Sequence, residues 1–230
     1  MLKKWEDLPQ FMQNDDVRYY YEILAKKRVS LLLKRIFDIV MAIFLLVILA
    51  IPMIVIAVMI KFDSPGPVFY RQERVTRYGK VFRIHKFRTM VNNADKIGTT
   101  VTVENDSRIT KVGEKIRNLR LDELPQLLDV IVGDMSFVGT RPEAVKYVKK
   151  YTDEMYATLL LPAGITSEAS IRYKDEAQLL DAADDVDSVY VEDVLPGKMR
   201  YNLDAIMRYS FWEEIDTMFR TIFTVFGKGI

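Results

Sequence analysis

The chain has 230 residues, with 33 lysines and arginines against 32 acidic residues, and half of its composition is hydrophobic. A net charge of +1 argues against a globally basic nucleic-acid binder, and the length suits one compact domain with an attached element. Cysteine is absent and His85 is the single histidine, which excludes disulfides, thiol catalysis, cysteine- or histidine-rich metal centres and most Ser-His-Asp chemistry. Carboxylates, arginines, lysines and hydroxyls remain to carry a reaction.

In chain order, residues 1–28 read as a polar helical lead-in, Asp16 to Ala25, bearing Tyr19, Tyr20 and Tyr21. Residues 29–62 form a membrane element. Ile39 to Ile60 carries no charge and as a helix would be about 33 Å long, enough to cross a bilayer. Basic residues flank both ends: Lys26, Lys27, Arg28, Lys34 and Arg35 before it, Lys61, Arg71, Arg74 and Arg77 after it, so the positive-inside rule gives a tie. Pro52 stands at the middle, where it can kink or break the helix. A kinked span and a re-entrant helix that leaves by the leaflet it entered both remain open on this ground.

Residues 63–230 form the remainder. Asp63-Ser64-Pro65-Gly66-Pro67 marks a turn, and Val68–Val75 and Lys80–Phe87 read as two strands of a hairpin around Tyr78-Gly79. From Lys61 to Met90 there are eight lysines and arginines and two acids, a patch for anionic headgroups or a phosphorylated substrate, or simply a solvated basic face. Val112, Ile116 and Leu119 keep helical spacing, as do Leu124, Leu127, Leu128 and Ile131, and Pro125 starts the second helix around Leu121 to Leu124. Further helices are expected at Pro142–Tyr156 and near Asp204–Phe226. The last carries Phe211, Trp212, Met218, Phe219, Ile222 and Phe226, for a membrane surface or for the core. Asp175–Asp193, with eight acids, reads as a solvated loop with short helices.

Asp122-Glu123 falls at a helix start, where unpaired N–H groups favour anions, and Arg117 and Arg120 precede it. Such a pair alone is usually a cap. Its company is more informative: a second turn, Gly133-Asp134-Met135-Ser136-Phe137-Val138-Gly139, runs into Thr140-Arg141-Pro142-Glu143. Two helix starts, several guanidinium groups and two carboxylates would make a diphosphate site, in which arginines neutralise phosphate, one carboxylate holds Mg²⁺ and the other attacks phosphorus.

The chain from about Lys34 onward resembles the bacterial sugar transferases, or monotopic phosphoglycosyltransferases. The pieces that carry the likeness are KRIFD, GPVFYRQERV, FRIHKFRTM, LDELPQL, GDMSFVG-x-RPE and a weaker GIT at Gly164–Thr166. The resemblance implies a mostly helical α+β protein: a re-entrant membrane helix-hairpin and a small cytoplasmic catalytic domain with a β-hairpin and interfacial amphipathic helices. It implies an Mg²⁺-dependent enzyme on the cytoplasmic face of the bacterial inner membrane. That enzyme transfers a sugar 1-phosphate from a UDP-sugar to a polyprenyl (undecaprenyl) phosphate and releases UMP, the first membrane step of a surface glycan pathway.

By the same carry-over Asp122 is the nucleophile, Glu123 helps to hold Mg²⁺, and Arg117 and Arg141 bind phosphate. Lys86 and Arg88 of the basic hairpin are assigned to substrate phosphate as well. Membrane lipids are expected partners, a homodimer is compatible with the family, and no nucleic acid is expected. The sequence departs from the family in three places. Ala50-Ile51-Pro52 stands where Ser-Pro is common, Thr140 replaces a proline, and Pro162-Ala163-Gly164 lacks the usual arginine; either Arg172 takes over that role, the expectation here, or sugar and phosphate binding differ in this branch. Two competing readings are a conventional glycosyltransferase using Asp185-Val186-Asp187 as a D-x-D metal motif, and an inactive membrane scaffold.

Overall fold

The computed structural model describes residues 2–94, 106–173 and 185–226. Part of the expected acidic loop, residues 175–184, therefore lies outside the described residues.

The lead-in forms α1 (Asp15–Ala25), which Asn14 caps by accepting a hydrogen bond from the Val17 amide at 2.8 Å. Val17, Tyr20 and Leu24 recur on one face of α1 and are buried with Leu8 and Met12 in the largest core cluster, together with Leu160, Leu195, Met199 and Tyr209. Tyr20 donates to Glu154 at 2.6 Å across that contact. The lead-in thus shares a core with the C-terminal half of the chain.

Helix α2 (Arg28–Asp63) has 36 residues and passes through Pro52 as one element, so the proline does not end the helix. Its inner stripe, Lys34, Asp38, Ala42, Ile56 and Ile60, is buried, with Leu45, Leu49 and Met53 half-buried between. These residues step by three or four, so one side of the helix rests on the protein body from end to end. Both ends are tied down. Arg35 donates to the Val130 and Ile131 carbonyls at 2.6 and 2.8 Å, and Asp63 accepts from the Val112 amide at 3.1 Å.

The outer face is bare: Val47, Ile51 and Phe62 are 73, 75 and 88 % exposed. Covering an apolar side chain of this kind is worth about 1.5–3 kcal/mol, so moving the exposed Val40, Phe44, Val47, Ile51 and Ile54 into an apolar phase would gain several kcal/mol in all. Only 11 % of its most apolar window is buried, whereas a soluble core helix would be mostly buried. Such a face belongs against an apolar phase.

Strands β1 (Phe69–Val75) and β2 (Val81–Phe87) pair antiparallel in the register Phe69↔Phe87 to Val75↔Val81, one residue from the expected ends. Tyr78 and Gly79 turn the hairpin at φ 60° and 74°. Helix α3 (Lys111–Asn118) is capped by Thr110, and Arg120 at φ 54° leads into a 3₁₀ turn, Leu121–Glu123. Pro125 then starts α4 (Gln126–Val132), which ends on Gly133 at φ 95°. Strands β3 (Met135–Val138) and β4 (Ala163–Thr166) pair in parallel. Thr76 ties these parts together: its hydroxyl donates to the Asp134 carbonyl at 2.5 Å and accepts from the Ala163 amide at 3.0 Å.

The helix expected over Pro142–Tyr156 is mostly absent. Only α5 (Val145–Val148) and a 3₁₀ segment, Met155–Leu160, form there. The Glu143 carbonyl is drawn sideways to the Val75 amide at 3.0 Å, and Ala144 stays extended, so the helix starts late. After α6 (Glu168–Arg172) come α7 (Val186–Val189), a π-helical turn Tyr190–Val194 and α8 (Leu195–Met207). The expected C-terminal helix is split at Arg208–Ser210, and Ser210 caps the start of α9 (Phe211–Phe226) by accepting from the Glu213 amide at 3.2 Å. Trp212, Phe219, Ile222 and Phe223 on α9 are exposed.

Candidate active site

The 3₁₀ turn Leu121–Glu123 presents the two adjacent carboxylates in different environments. Glu123 points into a cage of cations: its Oε1 accepts from Lys86 Nζ at 3.0 Å and from Arg141 Nη2 at 2.7 Å, with the carboxylate side chain only 11 % exposed. β2 supplies Lys86, and the turn after β3 supplies Arg141. Burial alone would favour a neutral Glu123, but Arg141 and Lys86 outweigh it and hold the carboxyl well below its ordinary value. Burial lowers Lys86 from the usual lysine value, with Glu123 opposing.

Asp122 is the contrasting member. Among the described residues its carboxylate makes no hydrogen bond and no ion pair. Burial pushes its carboxyl up and the Glu123 charge adds to the rise, whereas Lys86, Arg117 and Arg141 pull down. Arg117, near the end of α3, is itself lowered by burial and feels Asp122 as its leading favourable charge. Three cations thus surround two carboxylates, an excess of positive charge that suits a doubly or triply anionic phosphate group.

The fold brings Lys86, Arg117, Asp122, Glu123 and Arg141 near one another. Arg88 belongs elsewhere: only 4 % exposed, it donates to the carbonyls of Ser64 at 2.6 Å, Pro65 at 2.9 Å and Ile60 at 3.4 Å, closing the C-terminal end of α2. Its guanidinium clasps the end of the apolar helix, with Asp63 as its charge partner, so the fold does not bring it to the other residues expected to bind phosphate. Arg172 also stands apart from the dyad. It pairs with Glu168 at 3.1 Å and lines a separate cavity of about 320 Å³ between α6, α8 and α9.

The D-x-D letters have structural employment. Asp185 caps α7, accepting from the amides of Asp187 and Ser188, and Asp187 pairs with Lys146 at 2.7 Å and Tyr147 at 2.6 Å. Sequence reasoning missed Asp129, which is buried and accepts from the His85 amide at 2.9 Å while its other oxygen lies 2.6 Å from His85 Nδ1. That contact pins β2 to α4 beside Lys86; the lone histidine was the available signal.

For a divalent cation the donors are few. Glu123 spends Oε1 on Lys86 and Arg141, which leaves Oε2 and the Asp122 carboxylate, and no group of three or more acidic or histidine side chains occurs among the described residues. One or two carboxylates completed by water and substrate phosphate is the habit of Mg²⁺, so the residues fit that ion with phosphate present.

A carboxylate pair set in a cage of cations, on a body that rests along an apolar helix, is an arrangement whose charge suits anionic groups. The comparisons give the family. The model for bacterial sugar transferases matches residues 29–228, and this chain belongs to that family.

It is 35 % identical over 197 residues to the UDP-N-acetylgalactosamine-undecaprenyl-phosphate N-acetylgalactosaminephosphotransferase of Aeromonas hydrophila, covering 84 % of this chain and 43 % of that protein. It is 36 % identical over 203 residues to the UDP-glucose:undecaprenyl-phosphate glucose-1-phosphate transferase of Escherichia coli K12, covering 86 % and 41 %. The galactosyl transferase CpsE of Streptococcus agalactiae is 33 % identical over 221 residues, covering 91 % and 46 %. The chain spans less than half the length of each of these three relatives.

Proposed function

We propose that this protein transfers a sugar 1-phosphate from a UDP-sugar to a polyprenyl phosphate at the cytoplasmic face of the bacterial inner membrane. The observation that carries the reading is the inequality of the dyad: Glu123 is held as an anion between Lys86 and Arg141, and Asp122 beside them has no hydrogen-bond or ion-pair partner among the described residues. A nucleophile must be free to form a bond, and a carboxylate spent on two cations is not.

In the first step an Asp122 carboxylate oxygen attacks the sugar-bearing phosphorus. The bond from that phosphorus to the bridging oxygen breaks, UMP departs with the electron pair, and a phosphosugar–aspartate forms. In the second step an oxygen of polyprenyl phosphate attacks the same phosphorus and Asp122 leaves as carboxylate, giving polyprenyl-diphospho-sugar. No general base is required, in keeping with a chain that has one histidine. Arg117 and Arg141 neutralise phosphate oxygens as charge builds, and Lys86 keeps Glu123 ionised. Glu123 Oε2 would hold Mg²⁺, which would supply positive charge for the departing phosphate.

Helix α2 supports the membrane part of the reading. A span would carry the body packed along its inner stripe into the bilayer with it, whereas a helix that enters and leaves by one leaflet keeps that body at the interface. There a lipid-borne phosphate and a soluble nucleotide can meet. The experiment is mass spectrometry of the protein with UDP-sugars and Mg²⁺, acceptor withheld. A phosphosugar adduct on Asp122 with one equivalent of UMP is expected, and UDP release or an adduct elsewhere would overturn the proposal.

A further inference from the structure

Two residues after Arg141 the chain enters a buried polar cluster that the proposed reaction does not use. Glu143, two residues on, is 6 % exposed, and its Oε1 accepts from the Tyr190 hydroxyl at 2.6 Å. Lys198, 5 % exposed, lies 3.4 Å from the same oxygen and donates to the Tyr190 hydroxyl at 3.0 Å. The main chain is gripped too: the Glu143 carbonyl accepts from the Val75 amide at 3.0 Å, and the Pro142 carbonyl accepts from Arg74 at 3.4 Å. Between Arg141 and Glu143 stands Pro142, whose ring fixes one backbone torsion and so narrows the freedom of the link between them.

A buried ion pair is seldom kept for stability, because removing its charges from water offsets most of the attraction, and a hydrophobic replacement of equal size often does as well. What such a cluster supplies is registry. Tyr190 opens the π-helical turn Tyr190–Val194, a local departure from α-helix, of a kind frequently found at functional sites. We infer that Glu143, Tyr190 and Lys198 form a positioning triad that sets the Arg141 guanidinium against Glu123. The functional part of this inference rests on the reading of the dyad given above; the geometric part does not.

The test uses the full chain in lipid nanodiscs with ¹⁵N-labelled arginine. The Arg141 Nε signal, assigned by its loss in Arg141→Lys, should shift or broaden in Tyr190→Phe, which removes one hydroxyl and no charge. Donor turnover should fall about 10- to 100-fold, the range for small misplacements of a catalytic group. In an Arg141→Ala background the same Tyr190→Phe change should cost nothing more.

An unmoved Arg141 signal overturns the triad, whatever turnover does. So does a loss of equal size in both backgrounds, the mark of a merely structural role. Glu143→Gln, which keeps an acceptor for the Tyr190 hydroxyl and removes the charge facing Lys198, carries the same comparison if thermal unfolding shows that Tyr190→Phe is not folded. Wild-type turnover in Arg141→Ala together with a moved signal would remove the reading of the dyad and leave the triad standing.

Discussion

Lys34 of α2 and Glu214 of α9 meet in a buried ion pair, Nζ to Oε2 2.7 Å, with Asp38 3.5 Å from the same ammonium. Asp38 in turn accepts from the Ser136 hydroxyl at 2.8 Å, so one cluster joins the long apolar helix, the C-terminal amphipathic helix and β3. β3 leads directly to the turn that carries Arg141. The two helices with exposed apolar faces and the carboxylate cluster are therefore one mechanical unit, joined through buried charges.

Removing the lysine tests that join. Lys34→Met leaves Glu214 and Asp38 buried without their cation, a change of about 3–5 kcal/mol at neutral pH. Burial already holds the Glu214 carboxyl above its ordinary 4.5, with Lys34 pulling down. A carboxyl raised by folding is protonated in the folded chain over a range where the unfolded chain has lost its proton, so its contribution worsens as pH rises above the ordinary value. The gap in unfolding midpoint between wild type and Lys34→Met should then widen from pH 4.5 towards 7, and Lys34→Met with Glu214→Leu should recover most of it. A gap that does not change with pH would refute the role of Glu214.

Glu123 has the opposite sign. Its carboxyl is held below the ordinary 4.5, so its stabilising contribution is full above that value and is lost progressively as pH falls from there towards the lower folded value. Glu123→Gln leaves Lys86 and Arg141 facing a neutral amide and should cost about 1–3 kcal/mol at pH 7, measured by denaturant titration. The difference from wild type should shrink below pH 4.5. Turnover should fall as well, with a weakened dependence on Mg²⁺. Equal stability at pH 7 would mean that the cage is not closed in solution.

The parts that the sequence made legible are those governed by local rules. Uncharged Ile39–Ile60 specifies an apolar helix, Tyr78-Gly79 between two aromatic-rich runs specifies a hairpin, and Asp122-Glu123 beside arginines specifies a cluster of opposite charges. The parts that were not legible depend on partners far along the chain. Tyr20 meets Glu154 across a separation of 134 residues, and Arg88 finds carbonyls 23 to 28 residues earlier. A basic residue in a basic hairpin gives no local sign that it is buried. The late start of α5 has the same origin, since the sideways pull on Glu143 comes from Val75 in β1.

Arg88 and Arg117 separate these two kinds of arginine experimentally. Arg88→Gln removes charged hydrogen bonds to three carbonyls and should lower stability by about 1–3 kcal/mol, with donor KM close to wild type in the folded fraction. Arg117→Gln should do the reverse, raising KM or lowering kcat at nearly unchanged unfolding midpoint, because among the described residues its main charge partner is the dyad. An Arg88→Gln enzyme of normal stability with impaired donor binding would restore Arg88 to the phosphate set.

The geometry of α2 makes the last prediction. Arg35 near its start and Asp63 at its end are bonded to α4 and α3 of the same body, and the inner stripe between them stays in contact with that body. A helix so attached cannot place its ends on opposite sides of a bilayer without carrying polar strands and helices through it, and each unpaired backbone group in hydrocarbon would cost several kcal/mol. Single cysteines at Lys26 and Lys61, introduced into this cysteine-free chain, should both react with an impermeant maleimide in inside-out vesicles and neither in right-side-out vesicles. Replacing Pro52 by leucine should test what holds that topology. Attachment to the body predicts unchanged labelling in Pro52→Leu, and a switch to opposite sides would show that the proline, with the bend it permits, sets the path through the membrane.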